Sequence, residues 1–355
     1  SDLMCAGGEA LVRQFLVGLR KTREWFGYTP DTLWLPDDFG FSGALPQIMR
    51  GAGIAFFCTQ KIRWNDTTKF PYNTFRWKGI DGTDVLAHQI ANNSGNPMPA
   101  FLDEQWRDVE NKDVMDRRLL PMGYGDGGGG PTAEMLEVRR RVENLEGCPR
   151  ADFTTLSAFM QGIRDDIRDL PAWHGEIYLE AHRGTQTAKG AIKRASRRAE
   201  VALRNAEMLA TLASLHRAAY PVKELDALWR TLLVNHFHDV LPGTSIAEVN
   251  DRAVAELEDC RGRADEVAQE ALARLAGGES KACSRVVVFN TLSWERAGEF
   301  ELADAPEGLA PRDAGIRWQR IEGPDGVRRL AVCGMSLPPL GGRVLELTEN
   351  VEAAC

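Results

Sequence analysis

From about Ala188 to Ala276 the chain carries no strand signal; it is a long run of Ala, Leu, Arg and Glu. Ile192, Ala195, Ala199, Ala202, Ala206, Leu209 and Ala213 form one continuous apolar stripe at helical spacing. Pro221 suits the first position of a second helix running through Leu233, because its fixed φ is already helical. Ser245 and Glu248 have the spacing of a capping box, and Val249, Ala253, Leu257, Ala264, Val267, Ala271 and Leu275 follow at helical intervals. The stretch predicts an antiparallel helical bundle. The segments on either side of it must fold differently.

Upstream, helical patterns alternate with short apolar runs. Glu9 to Phe26 has helical spacing, Thr32 to Leu35 is a strand that stops at Pro36-Asp37-Asp38, Leu45 to Arg50 is a helix and Ile54 to Cys58 a strand. Pro131 suits a first helical position ahead of Met135, Leu136, Val138, Val142 and Leu145, and Phe153 to Leu156 reads as a further strand. The alternation predicts an α/β domain with a mostly parallel sheet, whose ligand site lies at the strand C-termini. Downstream of Gly277-Gly278, the runs Arg285 to Asn290 and Val344 to Leu347 predict an all-β region. The expected division is residues 1–170 (α/β, incomplete), 171–277 (helical) and 278–355 (the beginning of a β-sandwich). So few strands are not expected to stand alone, so the natural protein is expected to continue.

At 355 residues, with 43% hydrophobic and 26% charged side chains, the chain has the make-up of an ordinary globular protein of two or three domains. A net charge of −8 and a pI near 5.4 argue against a nucleic-acid surface. Runs such as Lys193-Arg194 and Arg197-Arg198 read as the solvated face of a helix. No apolar run is long enough to span a bilayer, and Asp2, Glu9, Arg13 and Arg20 do not form a signal-peptide layout. The seven cysteines are odd in number, scattered and without a CxxC pair, which fits reduced thiols in the cytoplasm better than a disulfide framework or thiolate zinc site.

Four stretches carry chemistry. Trp34 to Ser42 places Asp37 and Asp38 directly after a strand, held between a proline and a Phe-Gly turn; a lone aspartate there would read as a turn or cap residue. Gly123 to Pro131 embeds Asp126 in glycine-rich backbone, without the lysine of a nucleotide loop. Asn235 to Thr244 holds two of the six histidines, His236 and His238, beside Asp239, and a histidine backed by a carboxylate is a common metal-ligand arrangement. Gly175 to Thr185, read as extended, aligns Glu176, Tyr178, Glu180 and His182 on one face, as suits a hydroxyl-rich ligand or a solvated edge strand.

Together and in this order, these stretches resemble glycoside hydrolase family 38, the class II α-mannosidases, and within it the cytosolic and vacuolar branch. Thr59-Gln60-Lys61, Trp64-Asn65, Tyr178 to Thr187, Phe237 to Ile246 and Val288-Phe289-Asn290 extend the likeness through the chain. The resemblance implies a retaining α-mannosidase acting on oligosaccharides with terminal α-mannose. Asp37 matches the nucleophile and a metal ligand, His238 a zinc ligand, and Asp126 the general acid/base. Trp64, Tyr178, Glu180, Arg183 and Asp239 would line or support the sugar subsite. The implied metal is zinc, with cobalt or manganese as substitutes. Relatives of the branch are often oligomeric, so a homo-oligomer is compatible with the likeness. In a retaining enzyme the two carboxyl groups lie about 5–5.5 Å apart, and burial is expected around the general acid to keep its proton.

The match breaks in two places. The family's other zinc ligands, a His-x-Asp motif, have no counterpart here, so this polypeptide alone is expected to bind zinc poorly and hydrolyse little. Gln186 stands where the family more often has an aromatic residue. Two other readings stay open: a metal-dependent carbohydrate deacetylase on the same fold, and a non-catalytic carbohydrate-binding or scaffold relative.

Overall fold

The structure, a computed structural model, describes residues 2–126, 128–277, 284–303, 305, 307–313 and 315–349. Gly278, at the expected junction, and Cys283 and Cys355, among the expected reduced thiols, lie outside the described residues. The described residues fall into two compact units: those up to Glu200 with Arg230–Glu258, and Val201–Trp229 with those from Asp259 on.

The first unit opens with α1 (Gly8–Phe26), which ends at Gly27, where a left-handed φ of 73° lets the Gly27 N–H bond the Arg23 carbonyl. Then follow β1 (Thr32–Leu35), β2 (Gly40–Phe41), α2 (Leu45–Gly51), β3 (Phe56–Thr59), a 3-10 turn at Lys61–Trp64, β4 (Thr74–Lys78), β5 (Asp84–Gln89), α3 (Pro99–Arg107), α4 (Ala133–Val142), α5 (Leu156–Asp166), β6 (Ala172–His174) and β7 (Ile177–Tyr178). A second 3-10 turn, Glu180–Gln186, leads into α6 (Gly190–Leu215), α7 (Val222–Asn235) and α8 (Ala247–Leu275), which cross from one unit to the other.

Five strands form one mixed sheet in the order β1-β3-β5-β4-β6. β1/β3, β3/β5 and β4/β6 are parallel and β4/β5 antiparallel. Strand alternation sends Phe57 to one face, with Leu11 and Phe15 of α1 and Leu45 and Met49 of α2, and Phe56 to the other, with Phe159, Met160 and Ile163 of α5. All four residues of β3 are buried, as expected of a strand covered on both faces.

In the second unit, β8 (Arg285–Asn290), β9 (Arg296–Ala303), β10 (Leu309–Pro311), β11 (Arg317–Glu322), β12 (Arg328–Leu337) and β13 (Gly341–Glu349) make two antiparallel three-stranded sheets, β10-β13-β8 and β11-β12-β9. Leu330, Val332, Met335, Leu345 and Leu347 share one apolar core.

All seven residues of the predicted α6 stripe are buried. Four local expectations are corrected. Phe153 to Leu156 is not a strand: the Thr155 side chain accepts the Ala158 N–H and caps α5, whose apolar residues have helical spacing. Pro131 stands ahead of the cap of α4 rather than inside it, since Thr132 accepts the Met135 N–H. Ser245 does not start α8; its hydroxyl donates to the Asp239 carbonyl at 2.5 Å, and the helical ladder begins with the Asn250 N–H on Ile246. The segment from Glu176 to His182 is extended only at Ile177–Tyr178 and then turns, so the four polar residues do not share one strand face.

Candidate active site

The sheet register brings the first site residues together. Leu35 of β1 lies beside Thr59 of β3 in a parallel pair, so Asp37 and Lys61, each two residues further on, leave the sheet side by side. Lys61 Nζ lies 3.1 Å from Asp37 Oδ1. The same ammonium sits 4.1 Å from the centre of the Trp64 ring, within cation–π range. His182 is 5.9 Å from Trp64 and 4.7 Å from Phe39, ring to ring, and Phe39 meets His238 edge-on at 6.2 Å. Asp37, Lys61, Trp64, His182, Phe39 and His238 therefore form one continuous chain of contacts at the C-terminal edge of the sheet. Next to it, Asp38 is only 2% exposed, and burial pushes its carboxyl up to about 6.

Asn65 shapes the wall beyond Trp64. Its side-chain amide donates to the Tyr178 carbonyl at 3.0 Å and accepts the Glu180 N–H at 2.9 Å, taking the place of a strand partner where β7 ends. That is the physical reason the chain turns there. Glu180 braces the opposite side: its carboxylate accepts the Thr67 N–H at 2.5 Å and the Thr68 N–H at 3.0 Å, and these bonds hold it below the usual carboxylate range. Tyr178, paired with Gly40 through β7 and β2, leaves its side chain exposed, and exposed Arg183 donates to the Glu180 carbonyl at 3.2 Å.

His238 sits on the turn after α7, and one face of α6 grips that turn at both ends. Ser196 Oγ lies 2.8 Å from His236 Nε2, with Glu200 Oε1 3.7 Å from the same nitrogen. Lys193 Nζ donates to the carbonyls of Ala188, Leu241 and Pro242 at 2.5, 3.1 and 3.2 Å. The spacing of 193, 196 and 200 is that of neighbours on one helix face. Glu200 Oε1 also accepts the Gly7 N–H at 2.8 Å, and the Asp2 N–H bonds the His236 carbonyl at 2.6 Å, tying in the segment before α1. Asp239 Oδ2 lies 3.7 Å from His238 Nε2, and Asp239 Oδ1 accepts the Thr244 hydroxyl at 2.8 Å.

Asp126 stands apart from these contacts. It is exposed, with a left-handed φ of 55°, in a loop closed by paired Tyr124 and Gly130 backbone bonds. The burial expected around it is not there, because the surrounding glycines carry no side chains to cover a carboxyl. Asp37 and His238 do not by themselves amount to a metal site. Among the described residues no three His, Cys, Asp or Glu side chains converge as ligands, and Asp37 Oδ1 already faces the Lys61 ammonium. Lys61 is not legible as a site residue from local spacing, because its signal lies in the register of β1 with β3. The sequence singles out His182 as part of an extended face, but it reaches Trp64 and Phe39 from the turn that Asn65 imposes.

The chain is similar to known proteins over most of its length. Residues 1–176 match the glycosyl hydrolases family 38 N-terminal domain, and residues 180–275 the alpha mannosidase middle domain. Alpha-mannosidase 2C1 of Homo sapiens is 40% identical over 294 residues, 81% of this chain and 28% of its own length. Alpha-mannosidase of Saccharomyces cerevisiae is 36% identical over 318 residues, 83% of this chain and 28% of its own. An alpha-mannosidase structure from Enterococcus faecalis V583 has the same fold, with a TM-score of 0.75 over 100% of this chain and 47% of its own, at 19% identity. The chain thus spans less than a third of the curated relatives it matches. A family 38 catalytic-domain match followed directly by the middle-domain match, over a sheet edge that presents Asp37, makes this chain a member of glycosyl hydrolase family 38.

Proposed function

We propose that the protein carrying this chain is a retaining α-mannosidase that releases terminal α-linked mannose from oligosaccharides. The observation that carries the reading is the Asp37–Lys61 pair, 3.1 Å apart at the strand C-termini and walled by Trp64, His182 and Phe39. In this reading Asp37 attacks the anomeric carbon and forms a glycosyl ester, while Asp126 gives a proton to the departing oxygen and then takes one from the incoming water. Lys61 holds the Asp37 carboxylate in position, the Trp64 ring offers a flat apolar face to the sugar, and Tyr178, Arg183 and Asp239 supply polar contacts around it. Glu180 supports the Trp64 wall from behind.

The family likeness implies a zinc ion, replaceable by cobalt or manganese. Asp37 and His238 would supply two of the usual four ligands, and no step above is routed through the ion. On its own, the 355-residue chain is expected to bind zinc weakly and to hydrolyse little. We keep the division into residues 1–170, 171–277 and 278–355; the limits of the two family matches, 1–176 and 180–275, support it. A cytoplasmic setting is supported by the scattered cysteines, and none of the described helices is long and apolar enough to cross a membrane.

The test is labelling of the natural-length protein with an activated 2-deoxy-2-fluoro-mannoside, followed by peptide mapping. A mannosyl adduct on the peptide containing Asp37, lost in Asp37→Asn, is the expected result. Turnover without any adduct, or an adduct on another carboxylate, would overturn the assignment, and release of acetate from an acetylated sugar would favour a deacetylase.

A further inference from the structure

A cavity of about 1130 Å³ opens on the α5 side of the sheet, and neither Asp37, Asp126 nor His238 lines it. Its walls are Trp34 of β1, Phe101 and Trp106 of α3, the segment Arg117–Met122, and the loop carrying Phe153. Two of these walls end at the proposed catalytic carboxylates: β1 runs from Trp34 into the Asp37 loop, and Leu119–Met122 run into the loop of Asp126. We propose that this cavity is a second carbohydrate-binding site, which holds the neutral pyranose rings of an oligosaccharide away from the bond that is cut. The choice of mannose as the sugar rests on the glycosidase reading above; the carbohydrate class rests on the cavity's own chemistry.

That chemistry has three parts. An aromatic face is left open on a loop: Phe153 is 55% exposed, although it is a large apolar ring. Phe153 is fixed from one side by the Arg139 guanidinium, 4.3 Å from its ring centre, which leaves the other side free to receive a flat ligand. The charged groups of the lining are nearly balanced, with four arginines and three aspartates. Three of the four arginines are spent on carboxylates: Arg117 pairs with Asp116 at 2.7 Å and with Asp166 at 2.9 Å, Arg118 with Asp108, and Arg139 with Asp152. Arg150 is left as the one lining guanidinium without a carboxylate partner among the described residues. A phosphorylated or carboxylated ligand would have Arg150 alone as an uncompensated fork, set against the three aspartates of the lining, and a lipid tail would leave this polar rim desolvated and unpaired. An uncharged ring with C–H faces for the aromatic side chains and hydroxyls for the paired charges suits both halves of the lining. The volume exceeds the usual span of about 300–1,000 Å³ for small-molecule sites, so the cavity has room for more than one ring.

The experiment measures binding rather than turnover, in the natural-length protein carrying Asp37→Asn so that no ligand is consumed. Titration calorimetry compares a linear α-mannotriose with methyl α-mannoside, in that background and with Phe153→Ala or Trp106→Phe added. Phe153 lies on an exposed loop, and equal unfolding midpoints check that each variant is folded. The expected result is tighter binding of the trisaccharide, with Phe153→Ala weakening it about tenfold, the loss of one aromatic contact. Methyl α-mannoside affinity should stay within about twofold. If the trisaccharide binds no better than the methyl glycoside, or if both variants bind it normally, the proposal is wrong. Tighter binding of inorganic phosphate than of trisaccharide, weakened by Phe153→Ala, would also overturn it in favour of an anion site. Failure of the fluoro-mannoside label with the trisaccharide preference intact would sink the mannosidase reading and leave the second site standing.

Discussion

Lys61 Nζ lies 3.1 Å from Asp37 Oδ1 and 4.1 Å from the Trp64 ring centre, so one ammonium joins the proposed nucleophile to the proposed sugar platform. The Lys61 side chain is 14% exposed and that of Asp37 27%, so the pair is only partly screened by water. Replacing Lys61 by Met removes the charge but keeps most of the stem. A charge-assisted hydrogen bond of about 1.5–3 kcal/mol converts to a fall in kcat/KM of about ten- to a hundredfold. Lys61→Arg should recover part of it, because the charge returns in a different shape. Activity of Lys61→Met within twofold of wild type, by steady-state kinetics on an aryl α-mannoside, would remove Lys61 from the site.

Lys193 is the second positioning contact. Its three donors are all used on the carbonyls of Ala188, Leu241 and Pro242, and so hold the far end of the turn that bears His238. Lys193→Met leaves those carbonyls without their charged donor and should cost about 1–3 kcal/mol of stability. A lower kcat with little change in KM is expected alongside it. Amide hydrogen exchange should quicken in residues 238–243 before it does in α6. Uniform quickening across the helices instead would mean that Lys193 serves general packing.

His88 makes stability depend on pH. It is fully buried, and burial with the nearby Arg118 and Arg63 charges pulls its pKa down to about 3. The Leu119 N–H donates to its Nε2 at 3.5 Å, which assigns the proton to Nδ1 and lets Nδ1 donate to Thr74 Oγ1 at 2.8 Å. Because the folded pKa lies below the ordinary value of about 6.5, the unfolded chain takes up the proton first as pH falls. The contribution is therefore complete above about pH 6.5 and is lost progressively toward pH 3, by an amount on the order of a few kcal/mol. Urea midpoints measured from pH 7.5 to 4 should fall more steeply for wild type than for His88→Asn. Parallel curves would show that His88 does not titrate in this way.

The difference between what local pattern reveals and what it hides follows from range. The α6 stripe is encoded in neighbours three or four residues apart and is buried as its spacing predicts. β1 and β3 show as short apolar runs, β1 at the expected Thr32–Leu35 and β3 at Phe56–Thr59, two residues later than the run from Ile54 suggests. Asp37 could be singled out because a strand, a proline and a Phe-Gly turn mark its loop directly. Lys61 could not, because its approach to Asp37 depends on the pairing of Leu35 with Thr59 across two strands. Phe153 to Leu156 looks like a strand because four apolar or β-branched residues fit either period, and the decisive group is the Thr155 hydroxyl that caps α5. The Glu176 to His182 segment bends because the Asn65 amide, far away in sequence, ends its pairing.

Glu180 offers a way to separate support of the proposed sugar platform from contact with the sugar. Its carboxylate accepts the N–H groups of Thr67 and Thr68, just beyond Trp64 and Asn65, while its own N–H bonds Asn65 Oδ1. Glu180→Ala removes the two side-chain bonds and keeps the one from its backbone, so the Thr67–Thr68 loop loosens while the turn at Glu180 persists. The Trp64 ring then loses its fixed angle, although Lys61 still sits over it. Ground-state and transition-state contacts with the ring weaken together, so KM should rise about three- to tenfold with kcat nearly unchanged. Glu180→Gln keeps one acceptor oxygen and should fall between wild type and Ala. If Glu180 instead touched the sugar in the transition state, kcat would drop with kcat/KM and Gln would not rescue it. Steady-state kinetics on the three proteins distinguishes the two roles, and Trp64→Ala combined with Glu180→Ala should add little to Trp64→Ala alone if Glu180 acts through the ring.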